Sequence, residues 1–173
     1  SPYAVDKYSM ELYAKMANTV YQLPNIALRF FNVYGERQDP NSQYSGVISV
    51  FINQMINDME VNIYGGYQTR DFIYVSDVVD SIIRSMKFLY KEPIFEQINI
   101  LTGKSTSIDE LFSILAEHLD YRKKPKYTDL LLGDPIESSG TQKKLEDLLL
   151  LDSNNFTSLN NGLLKTINFQ KNK

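Results

Sequence analysis

Apolar positions fall into helical stripes and short extended runs that alternate along the chain. Ser1 and Pro2 suit a helix start, with an N-cap oxygen followed by proline at the first helical position. A helix is predicted over about 3–22, ended by Pro24. Residues 26–31 are apolar apart from Arg29, as in a parallel strand covered on both faces. A polar loop is expected over 32–45, rich in amides and holding Gly35 and Pro40. Gly46 opens a helix to about Met59, with Val47, Val50, Phe51 and Met55 on one stripe. Two short strands, 61–64 and 71–75, are separated by Gly65-Gly66. Ser76 and Asp77 are expected to cap an amphipathic helix reaching about Tyr90, and 97–101 reads as a strand. Ser107 to Glu110 spells a capping box for a helix to about Leu119. Extended segments at 123–127 and 130–136 and helices at about 141–149 and 159–166 follow, and the Asn- and Lys-rich end is expected to fray.

This alternation predicts an α/β chain with parallel pairing. At 173 residues the chain has the size of one domain, and 43% apolar with 23% charged residues is ordinary globular composition. A net charge of −3 argues against a nucleic-acid partner, although a few local cations can hold a diphosphate. No apolar run is long enough for a bilayer span, and the absence of cysteine removes disulfides and thiolate metal sites. No metal, no membrane partner and a cytoplasmic location are therefore expected. A start at Ser1-Pro2, with no strand before the first helix, reads as a fragment. No glycine-rich turn follows a first strand, so the fingerprint that seats a dinucleotide pyrophosphate is missing from these residues.

Tyr3 and Lys7 stand four apart on the first predicted helix and share a face. A tyrosine ionises near pH ~10, and a neighbouring ammonium favours its phenolate, so the pair suits a general base toward a hydroxyl. On spacing alone, a packed tyrosine and a snorkelling lysine are the better explanation of the pattern.

The blocks SPYAVDKYSMELYAKM, LRFFNVYGERQDP, GGYQTRDFIYVSDVVDSI and INILTGKSTSIDEL change that balance. Together they resemble the NAD-dependent epimerase/dehydratase family, in order and spacing, over residues 1–111 and more weakly to 169. The resemblance implies the C-terminal part of a Rossmann-type extended short-chain dehydrogenase/reductase with its small substrate-binding domain, the N-terminal glycine-rich βαβ unit being absent. Residues 1–60 would belong to the NAD-binding domain and 61–173 to the nucleotide-sugar region.

By the same resemblance Tyr3 is the catalytic tyrosine. Lys7 lowers its pKa and holds the nicotinamide ribose of NAD, and Phe30 lines the nicotinamide pocket. Asn32 and Arg70 hold the substrate diphosphate, while Asn62, Tyr64 and Asp134 contact the nucleotide. Without it, Arg70 reads as a surface partner of Asp71, Asn32 and Asp134 as turn residues, and Tyr64 as strand packing. Leu131 stands where relatives carry an arginine, and Gly140-Thr141 where they carry a small residue and an aspartate.

The implied reaction is epimerisation of a nucleotide-sugar, a UDP-hexose first, through transient oxidation at C4, with the chain inactive alone. FFNVYG favours an epimerase over a 4,6-dehydratase, and a non-enzymatic nucleotide-sugar-binding or interaction remnant is the reading from another class. A homodimer through the first helix is implied, with Tyr8, Met10, Leu12, Met16 or Val20 in the contact. His118, the single histidine, reads as a helix C-terminal cation or surface residue.

Overall fold

A computed structural model describes residues 2–42 and 45–172. Helix α1 (Pro2–Tyr21) leads into β1 (Asn25–Phe30), and β2 (Asn32–Tyr34) follows after one residue. Next come α2 (Val47–Ile56), β3 (Asn62–Tyr64), β4 (Thr69–Tyr74), α3 (Val75–Lys91) and β5 (Phe95–Ile100). The remainder is β6 (Ser105–Ser107), α4 (Ile108–Leu119), β7 (Lys126–Thr128), α5 (Lys143–Leu149), a short 3-10 turn (Ser153–Asn155) and α6 (Leu159–Lys171).

Among the described residues the strands form three small sheets. β1 pairs in parallel with β5, β2 pairs in parallel with β4, which adds β6 antiparallel, and β3 pairs in parallel with β7. The β1–β5 sheet is covered on both faces, as its apolar run requires. Asn25 and Arg29 turn to α1, where they bond the Ala14 carbonyl and Glu11. Ile26 and Leu28 turn the other way, into a core with Val78 of α3 and Leu145 and Leu149 of α5. A second core joins α2, α4 and α6 to β2, β3 and β4 around Ile52, Leu111 and Leu163.

Several expectations are corrected. Residues 32–34 are a strand, because Val33 and Tyr34 can pair with β4 and Tyr34 is buried. Burial, with nearby carboxylates, raises the Tyr34 phenol well above its ordinary value, so it stays a neutral donor to the Leu159 carbonyl. Helix α3 starts at Val75, with Tyr74 as its N-cap. Asp77 therefore lies inside the first turn and accepts from the Thr157 amide and hydroxyl, with Ser76 no cap. Helix α5 begins at Lys143, and α6 continues to Lys171 where fraying was expected. The extended 130–136 segment is broken by a turn at Gly133, whose φ of 86° favours glycine. The predicted cap Ser1 lies outside the described residues. The Ser107 cap is present, accepting from the Glu110 amide.

Candidate functional site

α1 runs back along β1, so its first turns lie near the carboxyl end of that strand. There the chain changes sheets: Phe31 donates to Ile100 as the last step of the β1–β5 ladder, and Asn32 opens β2 in the neighbouring sheet. In open α/β folds, clefts form outside carboxyl strand ends at such switches. A groove of about 860 Å³ lies here, with Tyr3, Lys7, Phe30 and Phe31 in its lining.

Three predicted residues are thus brought together. Lys7 Nζ sits 5.4 Å from the centroid of the Tyr3 ring. Both side chains are accessible, Tyr3 being 67% exposed, and Phe30 is 45% exposed beside them. Glu11, one turn beyond Lys7, was not foreseen, although the same four-residue spacing points to it. Arg29 Nε and Nη2 donate to its two oxygens at 2.6 Å each, and Gln97 Nε2 donates at 3.2 Å. The Arg29 hydrogen bonds hold the Glu11 carboxyl below its ordinary pKa. This fork fastens α1 to both strands of the sheet and fixes which face of the helix meets the groove.

A second group gathers on β4. Arg70 Nη1 donates to the Thr69 and Pro135 carbonyls at 2.8 Å, and Nη2 donates to Asp134 Oδ1 at 2.7 Å. Its acid partner is thus Asp134, and the reading of an Arg70–Asp71 pair is corrected. Asp71 points inward, 1% exposed, and accepts from the Thr102 amide and hydroxyl and the Gly103 amide. It clamps the chain leaving β5 onto β4. Asn32 joins this group, donating from Nδ2 to the Asp71 carbonyl at 3.1 Å.

Asn62 and Tyr64 are exposed on one face of β3, with buried Ile63 between them. No hydrogen bond links their side chains to Arg70 among the described residues. The turn after them is rigid: Gly65 and Gly66 have φ of 75° and 103°, and a Cβ on Gly66 would sit 2.4 Å from Asp109 Oδ1. Leu131, in place of an arginine, is 59% exposed, so no guanidinium joins Arg70 from that loop. Thr141, which stands where the resemblance places an aspartate, accepts from the Lys143 amide at 3.3 Å. His118 lies at the last turn of α4, with Nε2 3.2 Å from Asn160 Oδ1. Among the described residues no cluster of three or more His, Cys, Asp or Glu could hold a metal, and no helix is long and apolar enough to cross a membrane.

A profile of the NAD dependent epimerase/dehydratase family matches residues 1–100, more than half the chain. The chain belongs to this family. Among epimerase relatives, a Methanocaldococcus jannaschii protein described as a candidate UDP-glucose 4-epimerase is 38% identical over 99% of this chain and 54% of its own length. The solved UDP-glucose 4-epimerase of Thermotoga maritima, with UDP-glucose, superposes with a TM-score of 0.90 at 34% identity, over 99% of this chain and 54% of that one. The UDP-glucuronic acid 4-epimerase of Bacillus cereus, with UDP-glucuronic acid and NAD, gives 0.89 at 29% identity, over 99% and 53%. The chain spans about half the length of the epimerase/dehydratase proteins it matches. Its α/β architecture is that of a Rossmann-type member of the family.

Proposed function

We propose that this chain carries the catalytic tyrosine–lysine pair and the nucleotide-sugar-binding part of an NAD-dependent UDP-sugar 4-epimerase. The observation that carries the reading is the convergence of Tyr3, Lys7 and Phe30 on one groove at the carboxyl end of β1. An aromatic wall beside a single ammonium suits a nicotinamide riboside, with Lys7 toward the ribose hydroxyls and Phe30 toward the ring. When bound, NAD supplies the hydride acceptor and donor for C4 of the sugar. The remaining work falls to the chain. Tyr3, as the phenolate, removes the C4 hydroxyl proton, holds it as the phenol and returns it to the inverted alcohol, and Lys7 stabilises the phenolate present before the first transfer and after the second.

Arg70 and Asn32 are assigned to the diphosphate. The carbonyls of Thr69 and Pro135 fix the Arg70 fork in place, and bidentate phosphate recognition depends on such fixity. Asp134 accepts from Arg70 with Oδ1, which leaves Oδ2 for a ribose hydroxyl, and Asn62 and Tyr64 complete the nucleoside contacts. The cofactor side is assigned to residues 1–60 and the nucleotide-sugar side to 61–173, with β1–β5 pairing as the seam between them. The outward side of α1, with Tyr8, Leu12, Met16 and Val20 exposed, is assigned to a homodimer contact. The UDP-glucose and UDP-glucuronic acid complexes of the similar structures support a uridine diphosphate sugar.

The deciding experiment joins this chain in frame behind the amino-terminal half of a UDP-glucose 4-epimerase relative. The chimera is expected to interconvert UDP-glucose and UDP-galactose, and Tyr3→Phe to abolish this, while the chain alone with NAD stays inactive. A folded, NAD-binding chimera that turns over neither UDP-glucose, UDP-glucuronic acid nor UDP-N-acetylglucosamine overturns the reading. Accumulation of a 4-keto-6-deoxy sugar would assign a dehydratase instead.

A further inference from the structure

Helix α3 carries two apolar faces, and only one is covered. At about 100° per residue, Val78, Ser81, Ser85 and half-buried Phe88 form the side that meets the sheet. The serines there are small, their hydroxyls bonded back to the Asp77 and Ser81 carbonyls, so the helix approaches closely. The bulkier stripe points outward. Val79, Ile82, Ile83, Met86 and Tyr90 recur at i, i+3, i+4, i+7 and i+11, and all are exposed, Met86 by 67% and Tyr90 by 92%. This is the spacing of a helix–helix seam, on a surface helix that has already buried its sheet-facing side.

The charges beside this stripe select the occupant. Along the flanking side, Asp80 lies toward the helix N-terminus and Lys87 and Lys91 toward its C-terminus, with Arg84 between them bonded to Asp80. Two such helices laid antiparallel about a two-fold axis near Ile82 and Ile83 bring Asp80 of each beside Lys87 of the other. A parallel pairing would put the two charged flanks on opposite sides of the seam, where Asp80 and Lys87 meet no complement. Isologous contacts require this kind of self-complementarity.

We propose that the outward face of α3 is a self-association surface, taking α3 of a second copy of this chain in antiparallel register around Ile83. The surface lies on the opposite face of the β1–β5 sheet from α1, so it is distinct from the contact assigned to that helix. A single pair of 17-residue helices covers less than the ~1,200–2,000 Å² of stable interfaces, so the association is weak and concentration-dependent.

The chain has no cysteine, so single introduced thiols report the contact directly. The test is run with Leu12→Asp also present, which silences the α1 face. Under mild oxidation Ile83→Cys is expected to cross-link about tenfold faster than Leu132→Cys, a control more open to solvent, because the two-fold raises its effective concentration. Val79→Cys mixed with Met86→Cys should give mostly the mixed dimer. By sedimentation velocity Ile83→Asp should abolish association with an unchanged far-UV spectrum. Asp80→Lys should weaken it, and Lys87→Asp added to Asp80→Lys should restore it. Equal cross-linking at 83 and 132, a preference for like-with-like dimers at 79 and 86, or association that survives Ile83→Asp would each overturn the proposal. A strict monomer at every concentration, with the stripe left to some other partner, would do so as well.

Discussion

Arg70 and Asp134, 64 residues apart in the chain, are joined by a 2.7 Å ion pair that ties strand β4 to the loop after β7. Arg70 also donates to the carbonyls of Thr69 and Pro135, so one side chain fastens the strand and the loop in a single geometry.

Arg70→Ala should therefore cost about 2 kcal/mol of stability, the scale of losing hydrogen bonds to a charged group that is mostly buried. Arg70→Lys keeps the charge but not the fork, and should lose most UDP affinity in the chimera with a smaller stability loss. Urea denaturation and calorimetric titration with UDP separate the two effects. Equal stability and UDP affinity in Arg70→Ala and the parent would refute both roles.

Tyr3→Phe removes only an exposed hydroxyl. Its stability should stay within about 0.5 kcal/mol of the parent, whereas epimerisation by the chimera should fall by about 10²–10⁴-fold. Stability is read from a thermal melt of the chain and activity from the sugar-nucleotide assay. A melt that shifts as strongly as activity falls would make Tyr3 a structural residue.

The Glu11–Arg29 fork has a pH signature. Because Arg29 holds the folded pKa of Glu11 below the ordinary 4.5, the pair contributes stability that is fully present above that value. The contribution is lost as pH falls through the depressed folded pKa. Glu11→Gln should lose less stability than the parent between about pH 5 and 3, as urea midpoints measured across that range will show. Parallel curves would mean that the fork contributes nothing to acid sensitivity.

Gly162 lies in α6 against Tyr34, and a Cβ there would stand 2.1 Å from the Tyr34 hydroxyl oxygen. Alanine gains about 1 kcal/mol of helix propensity, but it must displace a ring buried in the core. Overpacking of about 1–3 kcal/mol should offset that gain and leave Gly162→Ala no more stable than the parent. Gly162→Ala combined with Tyr34→Phe should recover part of the loss. A clear stabilisation by the single change would mean that the ring yields freely.

Much of the architecture was legible because periodicity reports burial. The long stripe of α1, the continuous apolar run of β1 and the capping box of α4 each lie close to their expected places. What escaped were elements with too few residues to show a period. β2 and β6 have three residues each and exist because β4 offers them a partner, a property of the assembled sheet and not of the segments. The Asp71 clamp was hidden for a similar reason, since its donors come from Thr102 and Gly103, some thirty residues further on. Tyr3, Lys7 and Phe30 were found by resemblance and meet in one groove. Glu11 was missed, although it repeats the spacing that links the first two.

The pairing of β1 with β5 also orders events in time. Asn25 faces Phe95, so β1 leaves the ribosome about 70 residues before its partner exists. At ~5–20 residues per second that is several seconds of waiting. During this interval β1 has its helix α1 but no β5 ladder, and α2 through α3 must be made before the strand can pair. The groove wall thus cannot be fixed until residue 100 has been made, and a nascent chain stalled before β5 would carry Tyr3 and Lys7 without the sheet that aims them.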